Sequence, residues 1–561
     1  VYVVATAGHV DHGKSTLVER LTGMWPDRLA EERRRGLTID LGFAWTTLDG
    51  REIAFVDVPG HERFVANMLA GVGPVPAIVF VVAATEGWMP QSDEHLDALR
   101  ALGVRHLLVV ISKADLADPA SAIAQVRERL PDAPIVLGTD LNAVRTHLVS
   151  LVDGLPLPDR DADVRLWVDR SFTVRGAGTV VTGTLAAGTL RVGAELEHTG
   201  RRVTVRGLQS LGQDRSEVGA VARVAVNLRG VDRRHIGRGD TVRTPGAWLD
   251  TAEIDVLLRE PSESHRLHPQ LVLHIGSAAV PVRVRPLGTA GARLRFARPL
   301  PLRVGDIGLL RDPGEHRIAA GIEVLDVWPP ALRRRGAARE RGEELATGRV
   351  RRPPCARVDE LRAMGFDTGG TWVGEWVVDD GWWAQRRQQM MTAVARWSAE
   401  HDVAAGMPLE ALRQQAGLPA GELLPALLAG TDLQAVDGVV RRPGAGLPAR
   451  VEKAVRTVEE WLAAEPFRAP EADELADLEL GPRELAAAIR AKRLTKIADG
   501  VVLGPDVFDR AAAVLNALPQ PFTVADAKRA MNTTRRVAVP LLERLDALEV
   551  TRRNEDGTRY T

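Results

Sequence analysis

Lys14 closes the run Gly8-His9-Val10-Asp11-His12-Gly13-Lys14-Ser15, a glycine-bounded loop ending in an ammonium and a hydroxyl. The pattern G-x-x-x-x-G-K-[ST] serves one kind of chemistry. Backbone N–H groups of the curled loop point at phosphate oxygens, the lysine reaches the β- and γ-phosphates, and the hydroxyl ligates Mg²⁺. An apolar run precedes the loop, and helix-like Thr16-Leu17-Val18-Glu19-Arg20-Leu21 follows, bringing a positive helix N-terminus to the phosphates. Residues Gly8 to Thr16 are therefore expected to hold the phosphate end of a nucleotide. Asp57 ends the apolar run Phe55-Val56 and can hold Mg²⁺ through water, while Gly60 lets a backbone N–H approach the γ-phosphate closely. Thr38, in Arg35-Gly36-Leu37-Thr38-Ile39-Asp40, offers a second hydroxyl, so the expected metal set is Ser15, Thr38 and Asp57. The upstream Glu31-Glu32-Arg33-Arg34-Arg35 reads as a solvated face. The base is chosen in Ser112-Lys113-Ala114-Asp115, after the apolar strand Leu107-Leu108-Val109-Val110. A carboxylate at the end of a parallel strand lies where ligands bind. Asp115 can accept from two adjacent guanine N–H groups, for which adenine has no matching pair, and the Lys113 stem can lie along the purine. GTP with Mg²⁺ is the expected ligand.

These groups require a doubly wound parallel sheet to present them, and the length allows several further domains. The 561 residues carry 73 basic and 74 acidic side chains, a net charge of −1, which excludes binding nucleic acid through bulk positive charge. Hydrophobic residues at 45% and charged residues at 26% are ordinary for a globular protein. The single cysteine, Cys355, excludes an internal disulfide framework and a four-cysteine zinc site. No apolar run approaches the ~20 residues of a membrane helix. The start, Val1 to Gly8, reads as a buried strand and not a signal peptide, so the cytoplasm is the expected compartment. Only six of the 73 basic residues are lysine, and the two that fall before residue 450 are Lys14 and Lys113. The scarce residue type marks the nucleotide motifs.

With Asp57-Val58-Pro59-Gly60-His61 added, these motifs resemble those of translational GTPases related to elongation factor Tu. The resemblance implies that His61 orients the attacking water, and that Val10 and Leu37 form an apolar gate holding it back until the ribosome acts. The guanine motif departs from the family at Ser112, where Asn is usual, and the change is expected to remove an amide that braces the phosphate loop. Gly138-Thr139 is the candidate for the last guanine-contacting element. After the linker Leu155-Pro156-Leu157-Pro158, short Val/Thr/Arg-rich segments separated by glycines predict two antiparallel barrels, over 161–248 and 249–330. The stretch Val168 to Thr179 resembles the second domain of selenocysteine-specific elongation factors, which implies that Asp169, Arg170 and Arg238 line an aminoacyl pocket. Arginines there would favour an ionised selenol, and would face seryl-tRNA as an uncompensated, partly desolvated charge. Read from the residues alone, Asp169-Arg170 is a cross-strand ion pair.

The remainder turns helical and repeats. Asp-Gly, the strong two-residue hairpin signal, recurs at Asp380, Asp437, Asp499 and Asp556, at separations of 57, 62 and 57 residues. Helices precede these sites, so four tandem winged-helix units are expected, over 331–384, 385–446, 447–507 and 508–561, following a nucleotide domain over 1–160. The pair Trp382-Trp383 reads as core. Residues 510–561 carry nine basic and six acidic groups, and Lys528, Arg529, Arg535, Arg536, Arg552 and Arg553 are the candidates for contacting RNA phosphates.

The fold class is thus multidomain: an α/β P-loop GTPase domain, two antiparallel β-barrels and the winged-helix tail. The resemblance to bacterial selenocysteine-specific elongation factors implies a monomeric GTPase. It would carry selenocysteinyl-tRNA to the ribosome at UGA codons marked by an mRNA hairpin. The rivals are a general aminoacyl-tRNA carrier, a GTP-gated DNA-binding regulator and a GTPase subunit of sulfate activation.

Overall fold

The computed structural model describes all residues except 27–37, 39, 62–63, 74, 175, 177, 260–266 and 444–445. Leu37 of the expected gate, and the charge run from Glu31 to Arg35, lie outside the described residues. Two compact units are present, Val1–Gly369 and Gly370–Thr561.

The first unit begins with a six-stranded sheet: β1 (Tyr2–Ala7), β2 (Gly42–Leu48), β3 (Arg51–Asp57), β4 (Ala77–Ala83), β5 (His106–Ser112) and β6 (Ile135–Leu137). Its order is β2-β3-β1-β4-β5-β6, parallel except for the β2–β3 hairpin at one edge. All seven residues of β4 and the last five of β1 are buried. Such near-continuous apolar strands are what a parallel sheet covered on both faces requires. Its helices include α1 (Lys14–Thr22), α2 (Val65–Val72) and α3 (Pro90–Ala101). The loops after β1, β3 and β5 all leave the carboxyl edge, where the strand order reverses around β1. That edge carries Lys14, Asp57 and Ser112.

Two closed barrels follow, as expected. In the first, Arg165–Trp167, Gly178–Leu185, Ala222–Arg229, Arg201–Ser210, Glu195–His198 and Thr241–Arg243 form a ring, closed by pairing of Glu195–His198 with Arg201–Ser210. Arg170–Val174 pairs outside the ring, against Gly178–Leu185. In the second, six antiparallel strands between Leu249 and Asp326 close directly. Burial in Ala278–Leu287 alternates through its first eight residues, placing Val280, Val282 and Val284 inside. The helix Ala337–Ala346 docks on this barrel through Leu345, which packs with Leu287 and Leu325.

The second unit is helical with small hairpins. Asp437-Gly438 joins Gln434–Val436 to Val439–Arg441 with both turn residues at positive φ, as the hairpin signal requires. Asp499-Gly500 and Asp556-Gly557 also lie at hairpin tips. Asp380-Gly381 does not. It opens the 21-residue helix Asp380–Glu400, whose first turn is capped by the Asp379 side chain accepting from the Trp382 N–H. The hairpin of that region pairs Thr371–Val373 with Trp376–Val378, and turns at Gly374-Glu375. Trp382 and Trp383 are half-buried on the helix and not core. Residues from Val451 to Leu545 share one hydrophobic cluster, so the last two hairpin-bearing groups form a single packed body. Among the described residues no helix is long and apolar enough to cross a membrane.

Candidate functional site

The phosphate loop joins β1 to α1. Gly8 adopts φ 125°, a conformation closed to residues with a Cβ, and lets the chain turn against β4. Lys14 is 6% exposed, and its Nζ donates to the carbonyls of Gly8 (3.0 Å) and His9 (2.7 Å), holding the ammonium inside the loop's curl. Gly60 touches the loop from the other side: a Cβ there would lie 2.6 Å from the Val10 nitrogen.

The expected metal residues converge. Ser15 Oγ donates to Asp57 Oδ2 at 2.6 Å and lies 3.1 Å from Thr38 Oγ1. Asp57 is fully buried, and its other oxygen accepts from Thr6 Oγ1 at 2.7 Å, which fixes the carboxylate's orientation. Two hydroxyls and one carboxylate at a single corner form an all-oxygen set suited to Mg²⁺, which keeps several waters and takes few protein ligands.

Two helix residues that sequence reasoning missed also reach the loop. His95 Nδ1 accepts the Gly8 N–H at 3.0 Å, and Gln91 Oε1 accepts the Val10 N–H at 3.4 Å. Their signal was the i, i+4 spacing of two polar residues on α3. His61 is half-buried, with its ring 6.0 Å from that of Phe64.

At the base end, Ser112 Oγ donates to the His12 carbonyl at 2.6 Å. The brace expected to disappear with the asparagine amide is therefore made to the loop by a hydroxyl. Glu86 lies 3.2 Å from His12 Nε2 and 3.7 Å from Lys113 Nζ, while Asp115 is exposed. Gly138 lies beside this strand end, its N–H donating to the Ile111 carbonyl at 2.7 Å and its carbonyl accepting from Arg20 at 3.0 Å.

Burial holds several histidines neutral. Desolvation lowers His12 to about 4, with smaller opposing and reinforcing charges around it. His95 is lowered to about 3 by burial, reinforced by Lys14 and His9, and His274 to about 4 by burial, reinforced by Arg311 and Arg238. A depressed folded pKa contributes stability that is complete above the unfolded value near 6.5 and is lost as pH falls toward the folded value. Each histidine is expected to cost roughly 2 kcal/mol of stability by pH 5. Hydrogen exchange of β1 and α3 in urea at pH 7.5 and pH 5 measures this. Equal protection at both values would contradict it.

The three expected pocket residues lie around one cavity of about 520 Å³, with Arg233, Arg234, His235 and Asp240. The Asp169–Arg170 ion pair, the alternative reading of these two residues, is not formed. Asp169 is 6% exposed and takes both Arg223 Nη atoms, Nη2 at 2.7 Å, together with Thr182 Oγ1 at 2.6 Å. Arg170 instead turns to the α/β domain, with Nε 3.0 Å from Asp40 Oδ2 and Nη2 donating to the Leu41 carbonyl. Arg238 donates to Asn67 Oδ1 (2.7 Å) and the Ala66 carbonyl (3.1 Å), and lies 3.6 Å from Asp40 Oδ1. Burial lowers the Arg238 pKa; Asp40 and Asp169 oppose that shift.

In the last helical group Lys528, Arg529, Arg535, Arg552 and Arg553 are exposed, with Arg529 paired to Asp526 at 2.7 Å. Arg536 is exposed as well, and has partners elsewhere in the unit. Its guanidinium binds Glu471, the Gly500 carbonyl (2.8 Å) and the Pro470 carbonyl (3.2 Å), and so ties the last group to the one before it. Arg536, a candidate for contacting RNA phosphates, is thus also a tie within the helical unit.

Residues 1–233 match the family model of the elongation factor Tu GTP binding domain, and residues 513–560 match that of the elongation factor SelB winged helix. The chain is 36% identical over 388 residues to a selenocysteine-specific elongation factor of Desulfomicrobium baculatum, covering 62% of this chain and 61% of that protein. It thus spans about three fifths of that relative's length. It is 30% identical over 459 residues to one from Haemophilus influenzae, covering 74% of this chain and 73% of the relative. A crystal structure of a bacterial selenocysteine-specific elongation factor, EF-Sec, superposes with a TM-score of 0.73 at 24% identity, over 100% of this chain and 99% of that one.

Proposed function

Because the chain belongs to the selenocysteine-specific elongation factors, we propose that it binds GTP and selenocysteinyl-tRNA and delivers the tRNA to the ribosome. GTP lies along the carboxyl edge of the sheet. Lys14 exchanges the Gly8 and His9 carbonyls for β- and γ-phosphate oxygens, and the loop's backbone N–H groups, from His9 to Thr16, close around them. Ser15, Thr38 and Asp57 would hold Mg²⁺, which would supply positive charge to neutralise the phosphates. Asp115 selects guanine while Lys113 and Ser112 support the base side. The Gly60 N–H approaches the γ-phosphate, and His61 orients a water whose oxygen bonds to the γ-phosphorus as the bond to the β–γ bridging oxygen breaks. GDP and phosphate leave. Val10 and Leu37 keep His61 back until the ribosome acts.

Arg170 and Arg238 face the aminoacyl group. A selenol is more acidic than a thiol, whose pKa is ~8.5, so selenocysteine presents an anion at neutral pH where serine presents a hydroxyl. The tail reads as four winged-helix units. The last of them grips an mRNA hairpin beside UGA through Lys528, Arg529, Arg535, Arg536, Arg552 and Arg553. Such a hairpin is recognised mainly through phosphates, shape and unpaired bases. A monomer bound to tRNA at one end and mRNA at the other gains effective concentration from the linkage. This assembly operates in the cytoplasm.

The observation that carries the reading is the arginine-lined cavity beside Asp40, two residues from Thr38 of the metal corner. Filter binding of selenocysteinyl-, seryl- and alanyl-tRNA with GTP tests it. The wild-type chain is expected to prefer selenocysteinyl-tRNA by at least a hundredfold, on the order of two charge-assisted hydrogen bonds, and Arg238→Ala to lose most of that preference while keeping GTP. Equal affinities for all three would mark a general aminoacyl-tRNA carrier.

A further inference from the structure

The two arginines assigned to the aminoacyl pocket are tethered by groups of the α/β domain. Arg170 Nε lies 3.0 Å from Asp40 Oδ2, and Arg238 Nη1 lies 3.6 Å from Asp40 Oδ1, so one carboxylate of the α/β domain spans both guanidinium groups. The contact continues along the chain. Arg170 donates to the Leu41 carbonyl, and the Phe43 ring lies under two barrel arginines, 5.1 Å from the Arg170 guanidinium carbon and 4.0 Å from that of Arg223. Arg223 is in turn the partner of the pocket's buried Asp169. A segment of four residues, Asp40 to Phe43, therefore touches Arg170 and Arg238 of the cavity and Arg223, the partner of its Asp169.

Guanidinium groups on long side chains lose rotamer freedom when they are fixed, and two like charges side by side repel. A bridging carboxylate offsets the repulsion and holds both guanidinium groups at the cavity wall. Asp40 also stands two residues from Thr38, whose hydroxyl lies 3.1 Å from Ser15 in the metal corner. Backbone of two residues spans at most about 7 Å, so a ligand that fixes Thr38 also fixes where Asp40 can reach. Arg238 has a second tether on the same domain, at Asn67 and Ala66 at the start of α2.

We propose that Asp40 is a positioning residue of the aminoacyl pocket: it sets Arg170 and Arg238 as a pair for an anionic aminoacyl side chain, and links that pair to the nucleotide corner through Thr38. The proposal rests on the pocket reading given above and adds a specificity-determining residue that touches neither GTP nor the aminoacyl group. Its consequence is that preference for an anionic side chain is a property of the joined α/β domain and barrel.

The test uses the full chain with GTP and with GDP, as wild type, Asp40→Asn, Asp40→Glu and Arg238→Ala, and reads affinities for selenocysteinyl-, seryl- and alanyl-tRNA. Asp40→Asn keeps the size but removes the charge. It is expected to reduce the selenocysteinyl-over-seryl preference about tenfold, the scale of one charge-assisted hydrogen bond, with GTP affinity and alanyl-tRNA affinity unchanged. Asp40→Glu is expected to recover part of the preference. A merely structural domain contact would weaken all three tRNAs alike and would not be rescued by charge. The proposal is overturned if Asp40→Asn keeps the wild-type preference while Arg238→Ala loses it, or if Asp40→Asn weakens all tRNAs equally. If Arg238→Ala also leaves the preference intact, the pocket reading itself fails and this inference falls with it.

Discussion

Lys14→Ala is expected to raise the dissociation constant for GTP on the order of a thousandfold, the largest single effect on ligand binding in the chain. The ammonium is 6% exposed and already desolvated, held by the Gly8 and His9 carbonyls at 3.0 and 2.7 Å. Binding phosphate exchanges these neutral acceptors for charged ones, so little further desolvation opposes the gain. Hydrogen bonds between charged partners contribute about 1.5–3 kcal/mol each, and two of them account for the thousandfold. Arginine should not substitute. The Gly60 backbone closes on the Lys14 terminus, and a planar five-donor fork needs more width than an ammonium. A fluorescent-GTP titration of Lys14→Ala and Lys14→Arg decides the matter. A dissociation constant within tenfold of wild type would put the phosphates somewhere other than this loop.

The nucleotide corner was legible because its determinants are local. Strand, loop and helix follow one another within Tyr2–Thr22, and the types of Gly8, Lys14 and Ser15 fix what the turn can do. Thr38 and Asp57 needed only the assumption that strand ends share one edge of a parallel sheet. The pocket was legible by type but not by pairing. Asp169 and Arg170 are sequence neighbours, and neighbouring residues of an extended chain point to opposite sides. Asp169 turns inward to Arg223, 54 residues away, while Arg170 turns outward to Asp40. Neither partner carries a local signal. The Asp380-Gly381 misreading has a similar cause. Asp-Gly makes a hairpin only between two strands, and Asp379 directly before it is a good N-cap, so the helix took the pair. Arg536 could not be separated from its basic neighbours by sequence, because its acceptors lie 65 and 66 residues upstream at Glu471 and Pro470, and 36 residues upstream at Gly500.

Arg341→Met should destabilise the second barrel by about 3–5 kcal/mol, the usual cost of breaking a buried ion pair from one side. Asp255 is fully buried and accepts from Arg293 Nε (2.7 Å), Arg293 Nη2 (2.9 Å) and Arg341 Nε (2.7 Å). Arg341 also binds Asp326, and Glu344 at 2.6 Å, so three carboxylates depend on one guanidinium. Burial already raises the Asp326 pKa, with the Trp328 N–H and Arg341 acting against that shift. Without Arg341, Asp326 loses its cation and Asp255 keeps only Arg293. Methionine preserves apolar contact but offers no charge. The apolar alternative for holding the helix Ala337–Ala346 is Leu345 against Leu287 and Leu325, about 1.5–3 kcal/mol for one leucine, which is smaller than the electrostatic loss. The helix should therefore exchange its amide hydrogens much faster in the variant, while GTP binding in the α/β domain is unaffected. Adding Asp326→Asn should recover part of the stability, because it removes the carboxylate that was left unpaired, and the two changes should not be additive. Unchanged exchange across 337–346 in Arg341→Met would mean that the leucine contacts alone hold the helix.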